Sequence, residues 1–304
     1  MLKKQNITGN NPLNEREFPA FSVLMAVYRE EEPQYLNEAL LSIENQTIVP
    51  TEIVVVEDGP LPDSLHQILE QHQVNFKGQF RIISNAVNMG LGVSLQRGMK
   101  YVENDWVARM DSDDIAVKKR FELQLKEIIK DPELGVVGGQ VDEFLSRPTN
   151  IVGERKVPLS NSEIIRFIKY RSPFNHPTVM LNREKVLKSG GYQSKGKLED
   201  YFLWVNMLAN GYKGLNVPEV LVHMRTDTGM YDRRGDKENL KYIFTLKKMM
   251  HKKKMINLFE LICGDLIMTV NIIAPKWLRK MIYQKFMHSR SEVDGRNENN
   301  EIKE

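Results

Sequence analysis

Two rhythms of apolar residues share the first part of the chain. Phe21 to Val27, Ile53 to Val56, Phe80 to Ile83 and Trp106 to Met110 are short, nearly continuous apolar runs, the pattern of strands covered on both faces. Between the first two, Leu36, Ala39, Leu40 and Ile43 recur at helical spacing behind Pro33, which suits a helix's first turn. Leu65, Ile68 and Leu69 do the same in a helix predicted from about Asp63 to Val74, and another is predicted from Gly92 through roughly Glu103. Strands alternating with helices predict right-handed crossovers and a mostly parallel α/β sheet.

Farther along, Arg120 to Ile129 has an amphipathic spacing, with Phe121, Leu125 and Ile128 on one face. Val136 to Gly139 and Val141 to Leu145 have strand composition, and the turn-rich interval from Ser146 to Pro158 is expected to cover the sheet. Glu163 to Tyr170 is predicted helical, Val179 to Leu181 extended, and Leu198-Glu199-Asp200 opens an apolar helix through Leu208.

The chemistry concentrates where apolar runs end in acids. Trp106 to Met110 runs straight into Asp111-Ser112-Asp113-Asp114, and Ile53 to Val56 into Glu57-Asp58-Gly59. Like charges this close repel, and burying them unpaired is costly. A divalent cation bridging to a phosphate relieves that conflict, because hard oxygen ligands suit Mg²⁺ or Mn²⁺. Capping of a helix expected near Lys118 accounts for one or two of these acids, hardly for all three. Asn88-Met89-Gly90-Leu91-Gly92 adds a glycine turn leading into a helix. In an open α/β sheet the strands' carboxyl ends are where ligands bind, so the acid-tipped strands and the turn converge on a nucleotide site. It is not of the dinucleotide type, since Gly90 to Leu95 lacks the third glycine and follows the third strand. Taken alone, Gly90 and Gly92 are an ordinary tight turn, and Glu199 and Asp200 are acids suited to a helix's first turn.

Composition narrows the class. With 43 basic against 40 acidic residues the formal net charge is +3, so the totals imply no nucleic-acid partner. The single cysteine, Cys263, excludes an internal disulfide and fits a reducing, cytoplasmic setting. Residues 1–18 are polar and Asn-rich without a signal-peptide core and are expected to form a flexible leader, and no uncharged apolar run is long enough to span a bilayer. The chain is expected to divide into that leader, a main α/β domain at 19–235, a basic helical extension at 236–290 and a disordered tail at 291–304.

Several of these pieces, in this order and spacing, resemble family 2 glycosyltransferases of the GT-A fold. They are Val27-Tyr28, Val55-Val56-Glu57-Asp58-Gly59, Asn88-x-Gly90-Leu91, Ala108 to Asp114, and Leu198-Glu199-Asp200-Tyr201-x-Leu203-Trp204. Within the family, Val56 to Pro60, Asn175-His176-Pro177-Thr178 and Gly229 to Arg234 are most similar to bacterial exopolysaccharide enzymes of the amylovoran type. The resemblance implies a mixed sheet flanked by helices and an inverting, metal-dependent transfer of a sugar, with a hexose from a UDP-sugar as the expected donor. The expected acceptor is a saccharide or a lipid-linked molecule in surface polysaccharide assembly. It implies that Asp58 meets uracil, with Val27, Tyr28, Glu57, Asn88 and Gly90 in the same pocket. Arg109, Asp111 and Ser112 would flank the ribose and diphosphate, and His176 the diphosphate or acceptor. Asp113 with Asp111 would hold Mn²⁺ or Mg²⁺. Asp200 would be the base, with Glu199 beside it. Relatives carry a His after a Tyr-Arg pair in the metal shell; here Met224-Arg225-Thr226-Asp227 stands instead, so Asp227 or His223 are the substitutes.

Two other classes remain at this point. A sugar nucleotidyltransferase would need a glycine-rich phosphate loop near the start, and Phe21 to Glu30 has no glycine. A non-catalytic scaffold binding membrane or polysaccharide would use the basic extension. Lys247-Lys248-Met249-Met250-His251-Lys252-Lys253-Lys254 and Pro275 to Tyr283 mix charge with interfacial residues there. Such composition suits peripheral contact with an anionic membrane surface, at about 1 kcal/mol per nearby Lys or Arg. A solvated helical hairpin or a dimer contact explains the same composition.

Overall fold

The computed structural model describes residues 18–226 and 238–262. The chain divides into two compact units, Met1–Ile243 and Phe244–Glu304. The first is a nine-stranded mixed sheet flanked by helices. Its parallel part comprises β1 (Phe21–Val27), β2 (Glu52–Glu57), β3 (Gln79–Ser84) and β4 (Trp106–Met110), in the order β3-β2-β1-β4. The connecting helices are α1 (Pro33–Glu44), α2 (Asp63–Asn75) and α3 (Leu91–Gly98). Every residue of β2 and β4 is buried, which is why these strands read as unbroken apolar runs.

Beyond β4 the sheet is mixed, as the resemblance implies, where the strand–helix alternation by itself predicts a mostly parallel one. After the acid turn come β5 (Ile115–Ala116), α4 (Arg120–Lys130) and β6 (Leu134–Phe144). The two strand segments expected around Gly138-Gly139 are one buried strand. The interval expected only to turn contains β7 (Ile151–Arg155), paired antiparallel with β6. Next are α5 (Asn161–Phe167), a 3₁₀ turn at His176–Thr178, β8 (Met180–Asn182), α6 (Arg183–Lys188), α7 (Glu199–Ala209) and β9 (Lys213–Arg225). β8 joins the two parts by pairing antiparallel with both β4 and β6. β9 runs parallel to β6, and β5 pairs antiparallel with β9.

Local chemistry explains the boundaries. Ser160 and Glu163 form a reciprocal capping box that starts α5. β9 has no simple alternation because Pro218 interrupts it. The β6–β9 register shifts between Gly138↔Asn216 and Gln140↔Val220, which carries the proline past the ladder without requiring its missing N–H. α3 stops at Gly98, short of the expected Glu103, where it meets the sheet closely. A Cβ on Gly98 would lie 2.3 Å from Leu24 Cδ1 and 2.8 Å from Val56 Cγ2. In the second unit, which begins within α8 (Glu238–Lys252), Asn257 and Glu260 cap a short helix at 258–262 reciprocally.

Gly98→Ala therefore overpacks the α3–sheet interface. Thermal or urea unfolding should show a loss of about 1–3 kcal/mol, the usual cost of one extra methyl in a filled core.

Candidate active site

The carboxyl ends of β1, β2 and β4 face one edge, together with the turn preceding α3. A cavity of about 180 Å³ there is lined by Val27, Tyr28, Asp58, Asn88, Gly90 and Leu91. Asp58 shapes it by stapling the glycine turn. Its Oδ1 accepts the Met89 N–H at 2.7 Å and its Oδ2 accepts the Gly90 N–H at 2.9 Å. Oδ1 also accepts from the Asn85 side-chain amide at 3.2 Å, so Oδ2 is the oxygen that keeps a further lone pair for a ligand. The turn needs its glycines: Gly90 sits at φ +86°, and a Cβ on Gly59, at φ +90°, would stand 2.7 Å from the Asn88 nitrogen. Glu57 faces away into other partners, accepting from the Ser84 hydroxyl and meeting His66 Nδ1 at 3.0 Å. A larger cavity of about 410 Å³, lined by Leu159, Phe167 and Tyr170 among others, contains none of the expected site residues.

The turn after β4 gathers its acids. Asp111, Asp113 and Asp114 each offer an oxygen, and these oxygens lie within 4.8 Å of one another. Arg109, buried in β4, grips Asp111 with both terminal nitrogens. Burial, with Asp111 and Glu31 alongside, pushes the Asp113 carboxyl up to about 7. Burial and the same crowding push Asp114 well above the usual carboxylate range. Asp114 Oδ1 accepts the Arg225 N–H at 2.9 Å, while its Oδ2 is buried without a hydrogen-bond partner. Three hard oxygen donors, an orphaned buried oxygen and mutually repelling charges fit a divalent cation.

Glu31 was not singled out by the sequence. It sits in the Glu30-Glu31-Glu32 run, where three adjacent acids look like an ordinary solvated turn. Its carboxylate accepts from the Ser112 hydroxyl, and burial raises its pKa. His223 lies opposite Ile115 in the β5–β9 ladder, with its Nδ1 2.6 Å from Asp142 Oδ1, and is not among the gathered oxygens. Asp227 lies outside the described residues.

The first turn of α7 supplies a second acidic pair. Glu199 is buried with Oε2 unpartnered, and burial followed by the charge of Asp200 lifts it to about 7. Burial also raises Asp200, whose Oδ2 accepts from the Ser172 hydroxyl at 3.4 Å. α3 approaches this turn because residue 92 is glycine: a Cβ there would be 3.0 Å from both the Gln193 carbonyl oxygen and Glu199 Cβ. His176 begins the 3₁₀ turn, with Nε2 2.9 Å from the Tyr192 hydroxyl. Burial and the Arg109 charge hold it well below the usual histidine range, so it is neutral at pH 7. Arg109 acts electrostatically on Asp111, Asp113, Glu199, Asp200 and His176 alike, and its Nε is buried without a partner. One guanidinium thus links the acid turn to α7.

Comparison with known proteins supplies an independent line. Residues 22–191 match the family model "Glycosyl transferase family 2". A Haemophilus influenzae protein described as an uncharacterized glycosyltransferase is 36% identical over 88% of this chain and 98% of its own length. An Escherichia coli UDP-Gal:alpha-D-GlcNAc-diphosphoundecaprenol beta-1,3-galactosyltransferase is 35% identical over 88% of this chain and 96% of its own. The amylovoran biosynthesis glycosyltransferase AmsE of Erwinia amylovora is 32% identical over 87% and 98%. Among solved structures, S. aureus TarS 1-349 in complex with UDP-GlcNAc shares the fold at 17% identity. It has a TM-score of 0.64, over 86% of this chain and 77% of that one. Mannosyltransferase PcManGT from Pyrobaculum calidifontis, in complex with GDP-Man and Mn²⁺, superposes with a TM-score of 0.59 at 13% identity, over 90% and 81%.

Two outcomes follow from this geometry. Asp113 and Glu199 have folded-state pKa values raised to about 7, so the folded protein holds protons that the unfolded chain releases. Their contribution to stability is present below about pH 4 and is lost as pH rises through 7. Melting temperature in a chelator should fall between pH 5 and 8, and Asp113→Asn should flatten the fall; a slope unchanged by that substitution contradicts the assignment. Gly92→Ala should displace the first turn of α7 by a few tenths of an ångström. Turnover should drop about 10-fold or more, with a melting temperature close to wild type.

Proposed function

The chain belongs to glycosyl transferase family 2, and from that premise we propose that it transfers a hexose, with inversion, from a UDP-sugar to a saccharide or lipid-linked acceptor in surface polysaccharide assembly. The observation that carries this reading is that one buried guanidinium, Arg109, clasps Asp111 in the acid turn and acts electrostatically on both Asp113 there and Glu199-Asp200 at the start of α7. One group suits a diphosphate leaving group and the other an incoming hydroxyl. The E. coli relative, whose name specifies UDP-Gal and a diphosphoundecaprenol-linked acceptor, supports both the donor and the acceptor class.

Uracil would occupy the cavity at Val27, Tyr28 and Asp58, backed by the Asn88–Gly90 turn, with Glu57 behind the rim. Asp111, oriented by Arg109, and Asp113 would hold Mn²⁺ or Mg²⁺. The bound cation supplies Lewis-acid stabilisation of charge developing on the departing diphosphate. Ser112 keeps the turn in place through Glu31. His223 would have to leave Asp142 to join as a further ligand, and Asp227 follows shortly after it in the chain. Asp200 takes the acceptor hydroxyl's proton, and its raised pKa makes it a better base near neutral pH. A single base on the face opposite the leaving group gives direct displacement and inversion, by the geometry that also separates inverting from retaining glycosidases. Glu199, its Oε2 unpartnered, orients the sugar from beside the base, and neutral His176 offers a hydrogen bond rather than a charge.

The second unit supports peripheral membrane contact. Lys252, Lys253 and Lys254 precede a short helix on which Leu258, Phe259 and Ile262 are exposed. Cationic and interfacial apolar groups together suit an anionic bilayer, where a lipid-linked acceptor resides. Among the described residues no helix is long and apolar enough to cross a membrane.

Calorimetry with UDP, with and without Mn²⁺, tests the catalytic reading. Wild type should bind UDP in a metal-dependent manner and Asp113→Asn should lose that dependence. Asp200→Asn should keep UDP binding and lose about 10³-fold or more in transfer, measured as UDP release across a panel of UDP-sugars. Near-normal turnover would remove Asp200 as the base. Leu258→Asp/Phe259→Asp should release the protein from anionic vesicles in flotation; unchanged flotation contradicts the membrane contact.

A further inference from the structure

Strand β9 ends on Arg225, and the reading above gives that side chain no task. Its side chain is only 9% exposed, and its guanidinium is engaged through Nε, Nη2 and its faces. The guanidinium lies over the Tyr35 ring, 3.7 Å from its centre, and over Phe144 at 4.8 Å. Nη2 meets Glu38 Oε2 at 2.7 Å, and Nε donates to the Asp113 carbonyl at 3.0 Å. The backbone N–H of the same residue donates to Asp114 Oδ1 at 2.9 Å. The next residue, Thr226, donates its N–H to the Phe144 carbonyl at 3.0 Å, which pins the strand end in register with β6.

These contacts share a direction. They secure the backbone of Asp113 and one oxygen of Asp114, and leave Asp114 Oδ2 buried without a partner. They tie the acid turn, which belongs to the parallel part of the sheet, to a strand from the other part and to Tyr35 and Glu38 on α1. We propose that Arg225 is a positioning residue for the divalent cation, holding the Asp113-Asp114 backbone in the one arrangement that turns their carboxylates toward a common ion. This rests on the cation assignment made above. A lysine would keep the charge but not the planar fork and its stack on Tyr35, so geometry rather than charge is the operative property.

The test is Mn²⁺ binding, read by the EPR signal of free Mn²⁺, on wild type, Arg225→Met and Arg225→Lys. Uridine binding, followed by NMR, is the control because uridine carries no phosphate and needs no metal. Arg225→Met should weaken Mn²⁺ binding about 10-fold or more, as loss of a partner behind a metal ligand usually does, and leave uridine binding within 2-fold. Arg225→Lys should not restore it. Wild-type Mn²⁺ affinity in Arg225→Met, full rescue by Lys, or equal loss of Mn²⁺ and uridine binding would each overturn the inference. If Arg225→Met does not fold, Glu38→Gln carries the test. It should weaken Mn²⁺ selectively by about 3-fold, and an unchanged affinity overturns the proposal. Absence of Mn²⁺ binding by wild type is a different failure, that of the cation assignment itself.

Discussion

Crowded negative charge is the constraint around which this molecule is arranged. Asp111, Asp113, Asp114 and Glu31 converge at one end of β4, and the first turn of α7 adds Glu199 and Asp200 within reach of the same Arg109 charge. Burial first, and the neighbouring like charges after it, lift the pKa values of Asp113 and Glu199 to about 7. The permanent counter-charges are placed to orient rather than to neutralise. Arg109 clasps Asp111, Arg225 holds backbone and a single Asp114 oxygen, and Arg120 spends a terminal nitrogen on the Arg109 carbonyl at 2.6 Å. The remaining deficit of positive charge is what a divalent cation would satisfy.

The two kinds of sheet in the fold serve the two halves of that problem. The parallel strands deliver loops to a common edge, where backbone N–H groups and glycines shape a cavity around Asp58. The mixed part brings residues distant in sequence against that edge. β8 pairs with β4, the 3₁₀ turn sets His176 near Arg109, and β9 returns to brace the acid turn. Gly92 permits a close joint between them, where α3 meets the first turn of α7.

The parallel part was legible in the sequence because strands buried on both faces show as uninterrupted apolar runs, and Phe21–Val27 and Trp106–Met110 have the bounds those runs mark. The acids ending those runs were equally visible, since three carboxylates in four residues have few purely structural explanations. β9 was not legible: Pro218 and Glu219 break its pattern, and a register shift absorbs them only in three dimensions. β7 was hidden by its exposed, turn-like composition. Glu31 and Arg225 were missed for a related reason. Their importance comes from partners 81 and more than 100 residues away, Ser112 for one and Asp113 and Asp114 for the other, and no local pattern encodes such a pairing.

The central claim is that the clustered carboxylates exist to hold an ion against a pyrophosphate. A crystal soaked with Mn²⁺ and UDP, with data collected at the manganese edge, tests it most directly. The account predicts an anomalous peak about 2.1 Å from oxygens of Asp111 and Asp113, bridging to the diphosphate. Ordered UDP in the Asp58 cavity with no such peak would contradict it.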